Sequence, residues 1–96
     1  MKTFSMDKEP SLGTRETGKA LREKIEIFLQ TNDKIVLDFK DVGVMSSGFA
    51  DEVFGRLFVK MGFRSFTQRI VIKNADETID GLIDRAISQR SKLVFN

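Results

Sequence analysis

The chain switches several times between two hydrophobic periodicities, and the switches mark its elements. Residues 34–39 form an almost unbroken apolar run through Ile35, Val36, Leu37 and Phe39. Such a run without polar alternation suits a central strand covered on both faces. Residues 69–73 repeat it around Ile70, Val71 and Ile72, ending at Asn74 and Ala75. Near the start, Thr3, Phe4, Ser5 and Met6 alternate as a short strand would, and residues 7–11 hold the only proline. That segment reads as a turn or an irregular lead-in.

Between these runs the spacing becomes helical. Thr14 is placed to cap a first helix, in which Leu21, Ile25, Phe28 and Leu29 line one side and Thr31 to Asp33 mark the end. Ile27 falls off that stripe. A second helix is expected over about residues 49–61, with Gly48 as N-cap, Asp51 at the third position, and Gly62 just past the end. Its Phe49, Val53, Phe54, Leu57, Phe58 and Met61 cover about half the circumference at ~100° per residue. A surface helix needs a narrower stripe, so this one is either wedged between the sheet and another helix or faces a partner. Gly55 in its interior points to close backbone packing. A third helix follows Asp76, with a clean stripe of Ile79, Leu82, Ile83, Ala86 and Ile87, and residues 63–68 read as a connection. Leu93, Val94 and Phe95 are apolar and β-prone, so residues 91–96 are expected to form a last edge strand.

The resulting order predicts an α/β fold: about four strands, mostly parallel with right-handed crossovers, and three helices mainly on one face. A chain of 96 residues makes a single domain over 1–96, with residues 1–10 as a short edge strand and its lead-in. No apolar run is long enough for a membrane span, and the first residues lack the apolar core of a signal peptide. The cytoplasm is therefore the expected setting.

Composition removes whole classes of chemistry. The chain has no histidine and no cysteine, which excludes the usual zinc sites, His-assisted nucleophiles and thiol redox chemistry. No cofactor and no metal are expected. A net charge of +2 invites a nucleic-acid reading, but eight basic and eight acidic side chains fall in residues 1–48, and eight and six in residues 49–96. Both signs are interspersed without a basic stripe, so no nucleic-acid partner is expected. Neither the P-loop nor the dinucleotide-binding glycine pattern occurs.

The candidate chemistry gathers between the second expected strand and the second helix. Asp38, at the strand's carboxyl end, suggests a phosphoacceptor, but Asp7 and Glu9 make a poor acidic pair for one. The plainer role is loop support, through loop amides, Lys40 or Arg69. Ser46 and Ser47 precede the helix, where a phosphate would meet the positive end of the dipole but also the charges of Asp51 and Glu52. Asp38, Asp41, Asp51 and Glu52 are the carboxylates near the loop, and none has an evident activating partner.

Leu37, Asp38, Phe39, Val42, the run Met45-Ser46-Ser47-Gly48-Phe49-Ala50-Asp51-Glu52, and Phe54-Gly55 together resemble the STAS-like domain family of unknown function. It is related to anti-sigma-factor-antagonist and sulphate-transporter STAS domains. Leu12-Gly13-Thr14-Arg15 before a helix and the strand, Asn74 and helix after Arg69 extend the resemblance over about residues 11–90. It implies a STAS-type fold acting as a non-enzymatic signalling and protein-interaction module. In anti-sigma-factor antagonists an Asp-Ser-Ser/Thr-Gly motif opens this helix, and its first serine is phosphorylated by an ATPase-type kinase that is also the partner. That serine corresponds to Ser46. The motif aspartate is Met45 here, and the loop from Asp38 to the serines is one residue shorter.

The expectation is thus a domain that binds an ATPase-type kinase or another anti-sigma-like regulator through loop 42–48 and helix 49–61. Ser46 and Ser47 are its candidate phosphorylation sites, and homodimerisation is a further candidate. The alternative is a small-ligand or anion-binding regulatory domain, with the amides of Ser47, Gly48 and Phe49 as the cradle. Met45, Ser46, Ser47, Gly48, Phe49, Asp51 and Glu52 are the contact residues in either case.

Overall fold

The computed structural model describes the backbone of residues 1–95 and the side chains of residues 1–93. Three short strands, β1 (Lys2–Ser5), β2 (Ile35–Asp38) and β3 (Ile70–Lys73), form one parallel sheet in that order. Phe4 lies beside Leu37 and Leu37 beside Ile72, so β2 is central as its apolar run predicts.

Among the described residues the helices number four. Helix α1 spans Arg15–Leu29. Helix α2 runs from Ser47–Ala50 through a wide π turn at Asp51–Gly55 into Arg56–Met61. Helix α3 spans Phe63–Arg69 and α4 Glu77–Phe95. A 3₁₀ turn at Met6–Lys8 closes β1.

Two expectations change here. Residues 63–68 are helical, because Phe63 and Phe66 stand three apart and both meet Phe58 of α2, at 6.3 and 5.5 Å between ring centroids. Gly62, at φ +83°, breaks the chain between α2 and α3. The edge strand expected at 91–96 is instead the end of α4 as far as Phe95, and Asn96 lies outside the described residues. No glycine or proline after Gly81 interrupts the helical register, so the β preference of Leu93 to Phe95 has no turn on which to act. The described sheet therefore has three strands rather than four.

The sheet buries one face. Phe4, Ile35, Leu37 and Ile70 join the core with Leu21 and Ile25 of α1, Phe49, Val53, Phe54 and Leu57 of α2, Phe66 of α3, and Ile79, Ile83 and Ala86 of α4. The opposite face carries Thr3, Ser5 and Lys73, all exposed, around a buried Val36 that lies outside this cluster. Covering of β2 on both faces is thus corrected to one helical layer and one open face.

Helix α2 is the centre of the molecule, packed between α1 and α4 as well as on the sheet. Two glycines permit the approach. A Cβ at Gly18 of α1 would stand 2.9 Å from Glu52 Cβ and 3.1 Å from the Phe49 carbonyl oxygen. One at Gly55 would stand 2.7 Å from Asp51 Oδ1, 2.8 Å from Arg90 Cγ and 3.2 Å from the Ala86 carbonyl oxygen. Close packing therefore accounts for the glycine inside the helix.

Candidate functional site

The loop between β2 and α2 is held at both ends and by Val42, which packs on the core and donates to the Phe39 carbonyl at 3.0 Å. At the strand end, Asp38 Oδ1 accepts from the Lys40 amide at 3.0 Å and from Asn74 Nδ2 at 2.9 Å. The Asn74 amide, then the Lys40 N–H, hold this carboxyl below the usual aspartate range. Arg69 turns away from it and caps α1, donating to the carbonyls of Leu29, Asn32 and Asp33. At the helix end, the Ser46 amide donates to the Leu12 carbonyl at 2.9 Å, and Met45 is buried in the core. Between these anchors Asp41 takes a left-handed φ of 65°, and Val44 stands 82% exposed.

Ser46, not Gly48, is the N-cap of α2. Its Oγ accepts from the Phe49 amide at 3.0 Å, the standard third-position bond that satisfies an orphan donor. This displaces the expected capping box, since Asp51 now lies beyond the third position. It also removes the Phe49 amide from the expected three-amide cradle. Ser47 is exposed, whereas Gly48 is half-buried against the Arg15 side chain.

The wide turn of α2 carries two acids that share Arg15 of α1, and Asp51 also meets α4. Asp51 accepts both donors of the Arg90 fork, each at 2.7 Å, and Arg15 Nη1 at 2.7 Å. Arg90 first, then Arg15, pull its carboxyl down to about 2 against the opposing effect of burial. Glu52 is only 7% exposed and lies 3.1 Å from Arg56 Nε, 3.4 Å from Arg22 Nη2 and 3.5 Å from Arg15 Nη1. Arg22 Nε also donates to the Glu52 backbone carbonyl at 2.9 Å. Four arginines from three helices thus converge on two adjacent carboxylates. Both acids are spoken for, and Asp51, with its depressed pKa, is a poor proton acceptor near neutrality.

Beside this network lies an open cavity of about 510 Å³, lined by Arg15, Ser47, Asp51, Leu82, Arg85, Ala86, Gln89, Arg90 and Leu93. The sequence-predicted residues therefore separate. Met45, Phe49 and Glu52 are buried, Ser46 is occupied as a cap, and Ser47 and Asp51 reach the cavity. The expectation that the broad apolar face of α2 docks a partner is corrected, because Phe49, Val53, Phe54, Leu57 and Phe58 are all consumed inside the fold. What α2 exposes is polar, chiefly Arg56 and Lys60.

Arg15, Arg22, Arg85 and Arg90 were not singled out by pattern. The acids of α2 that Arg15, Arg22 and Arg90 meet lie 30 to 39 residues away in the chain. The available signal was Arg15 and Arg22 seven apart on one helix, hence on one side of it. Among the described residues there is no group of three or more acidic side chains placed to hold a metal ion, and no helix long and apolar enough to cross a membrane.

Comparison with protein families matches residues 17–80 to the STAS-like domain of unknown function (DUF4325). Comparisons with curated proteins and with solved structures returned no significant match. The matched span contains β2, β3, the loop, both acids and the centre of the core, and the chain belongs to this family.

Proposed function

We propose that this STAS-like chain is a non-enzymatic signalling module of the cytoplasm that binds another protein through loop 42–48. An ATPase-type kinase or another anti-sigma-like regulator is the partner class in view. The observation that carries the reading is Val44. An aliphatic side chain 82% exposed at the tip of a loop anchored by Asp38 and Met45 is a pre-positioned contact with no internal use. The polar outer surface of α2 belongs to the rim of such a contact rather than its centre. Homodimerisation through the same loop is tested alongside by the sedimentation of the free protein.

Phosphorylation, in this reading, falls on Ser47. Ser46 Oγ is engaged with the Phe49 amide, whereas Ser47 is exposed and borders the arginines. A kinase needs a free hydroxyl, and the resulting phosphate needs cations to receive it.

The test is affinity capture from the native host with wild-type and Val44→Asp protein of equal melting temperature. A protein retained by the wild type and lost with V44D supports the loop as the contact. Retention of the same proteins by both removes it. Intact-mass measurement of protein from the same host, with Ser46→Ala and Ser47→Ala variants, reads the modification. A phosphate that survives Ser47→Ala removes that assignment.

A further inference from the structure

The cavity beside Ser47 is a separate matter from the loop. Its lining has two poles. Arg15, Arg85 and Arg90 bring three guanidiniums against the single carboxylate of Asp51, which leaves that pole at a net +2. Asp51 already accepts three short hydrogen bonds from Arg15 and Arg90, so its charge is used up within the fold. Arg85 makes no ion pair among the described residues, although it borders the same space as two other cations. Structural need accounts for Arg90 and in part for Arg15. Arg85 is exposed on α4, outside that network, and free to meet a ligand.

The second pole is apolar. Leu82, one turn before Arg85 on α4 and packed against the core, forms it, whereas Leu93 lies at the far end of the cavity beyond Arg90, about 16 Å along the helix from Leu82. A volume of about 510 Å³ falls in the range of small-molecule sites, larger than a bare oxyanion fills. Planar guanidiniums favour anions with paired oxygens, and the Ser47 hydroxyl adds a neutral donor beside them.

We infer that this cavity binds a small organic anion of the phosphomonoester class, its phosphate against Arg85, Arg15 and Ser47 and its apolar body against Leu82. Arg85 is the residue that separates the site from the structural network, because it is the cation the network does not use.

The experiment is an amide NMR titration of the full chain with phenyl phosphate, inorganic phosphate, phenol, and sodium chloride at matched ionic strength. Saturable shifts at Ser47, Leu82, Arg85 and Gln89 are expected with phenyl phosphate, several-fold tighter than with inorganic phosphate and absent with phenol. Arg85→Glu should weaken phenyl phosphate about tenfold or more, while its melting temperature stays at the wild-type value. The inference is overturned by shifts that sodium chloride reproduces, by no saturation up to roughly 10 mM phenyl phosphate, or by an unchanged Kd in R85E. Equal affinity for phosphate and phenyl phosphate overturns the ligand class. None of these outcomes depends on whether Val44 docks a protein.

Discussion

Asp51→Asn removes the charge on which α1, α2 and α4 meet, and its effect has a predictable pH dependence. In the folded chain the Asp51 carboxyl titrates at about 2 against an ordinary value of 3.8, because Arg90 and then Arg15 stabilise the anion. At about 1.4 kcal/mol per pKa unit, that depression corresponds to roughly 2 kcal/mol of folding stability. Arg15 is more than half exposed, with a side chain at 58%, and solvent screening at that end lowers the expected net to between about 1 and 2 kcal/mol. A carboxyl whose folded pKa is depressed contributes fully above its unfolded pKa and loses that contribution as pH falls through the folded one. The difference between wild type and D51N should therefore be constant from about pH 5 upward, fall to about half near pH 3, and be lost as pH drops below about 2. Urea unfolding at several pH values measures it directly, since the midpoint shifts while the slope stays unchanged. At neutral pH the melting temperature of D51N should fall by roughly 5–10 °C for a domain of this size. A difference that stays the same from pH 7 to pH 3 would refute the reasoning, as would one below about 0.5 kcal/mol at neutrality.

Gly18→Ala should destabilise by about 1–3 kcal/mol despite a helix-propensity gain near 1 kcal/mol, because the new methyl meets the backbone of Phe49 and Glu52 Cβ rather than a movable side-chain end. Denaturant unfolding reads this, and a neutral or stabilised variant would mean that α1 and α2 can separate. Ser46→Ala should cost about 1 kcal/mol through loss of the cap on the Phe49 amide, whereas Ser47→Ala should leave stability within about 0.5 kcal/mol. Equal losses at both serines in the same assay would contradict the capping assignment. Asp38→Ala should loosen the loop by removing the acceptor of Lys40 and Asn74, seen as faster amide exchange at Lys40 with little change in global stability.

The fold was legible where local pattern and burial agree. The apolar runs at 34–39 and 69–73 are strands as read, and the capping residues Thr14 and Asp76 each do accept the amide three residues on. Legibility failed where local preference met no punctuation. Leu93 to Phe95 prefers extended backbone, but the helix from Glu77 continues through it because nothing breaks the register. The N-cap of α2 was misplaced by two residues for a related reason. Gly48, Ser47 and Ser46 are all acceptable caps by type, and the choice rests on tertiary anchors, the Leu12 carbonyl and the burial of Met45, that no local window contains.

The same distinction locates the site. A helix with an apolar half-circumference can be a docking face or a core element, and periodicity alone does not separate the two. What separates them is the opposing surface: Gly18 lets α1 touch α2 on one side, and Gly55 within α2 lets α4 approach on the other, so its apolar residues already have partners. Once α2 is taken up in this way, its adjacent acids become interior groups that must be neutralised, and the arginines of α1 and α4 follow as a requirement of burial rather than of function. A cation outside that requirement that still borders the cavity is free to meet a ligand. Arg85 is such a cation, and so the search for function moves from the face of the helix to the cavity at its start.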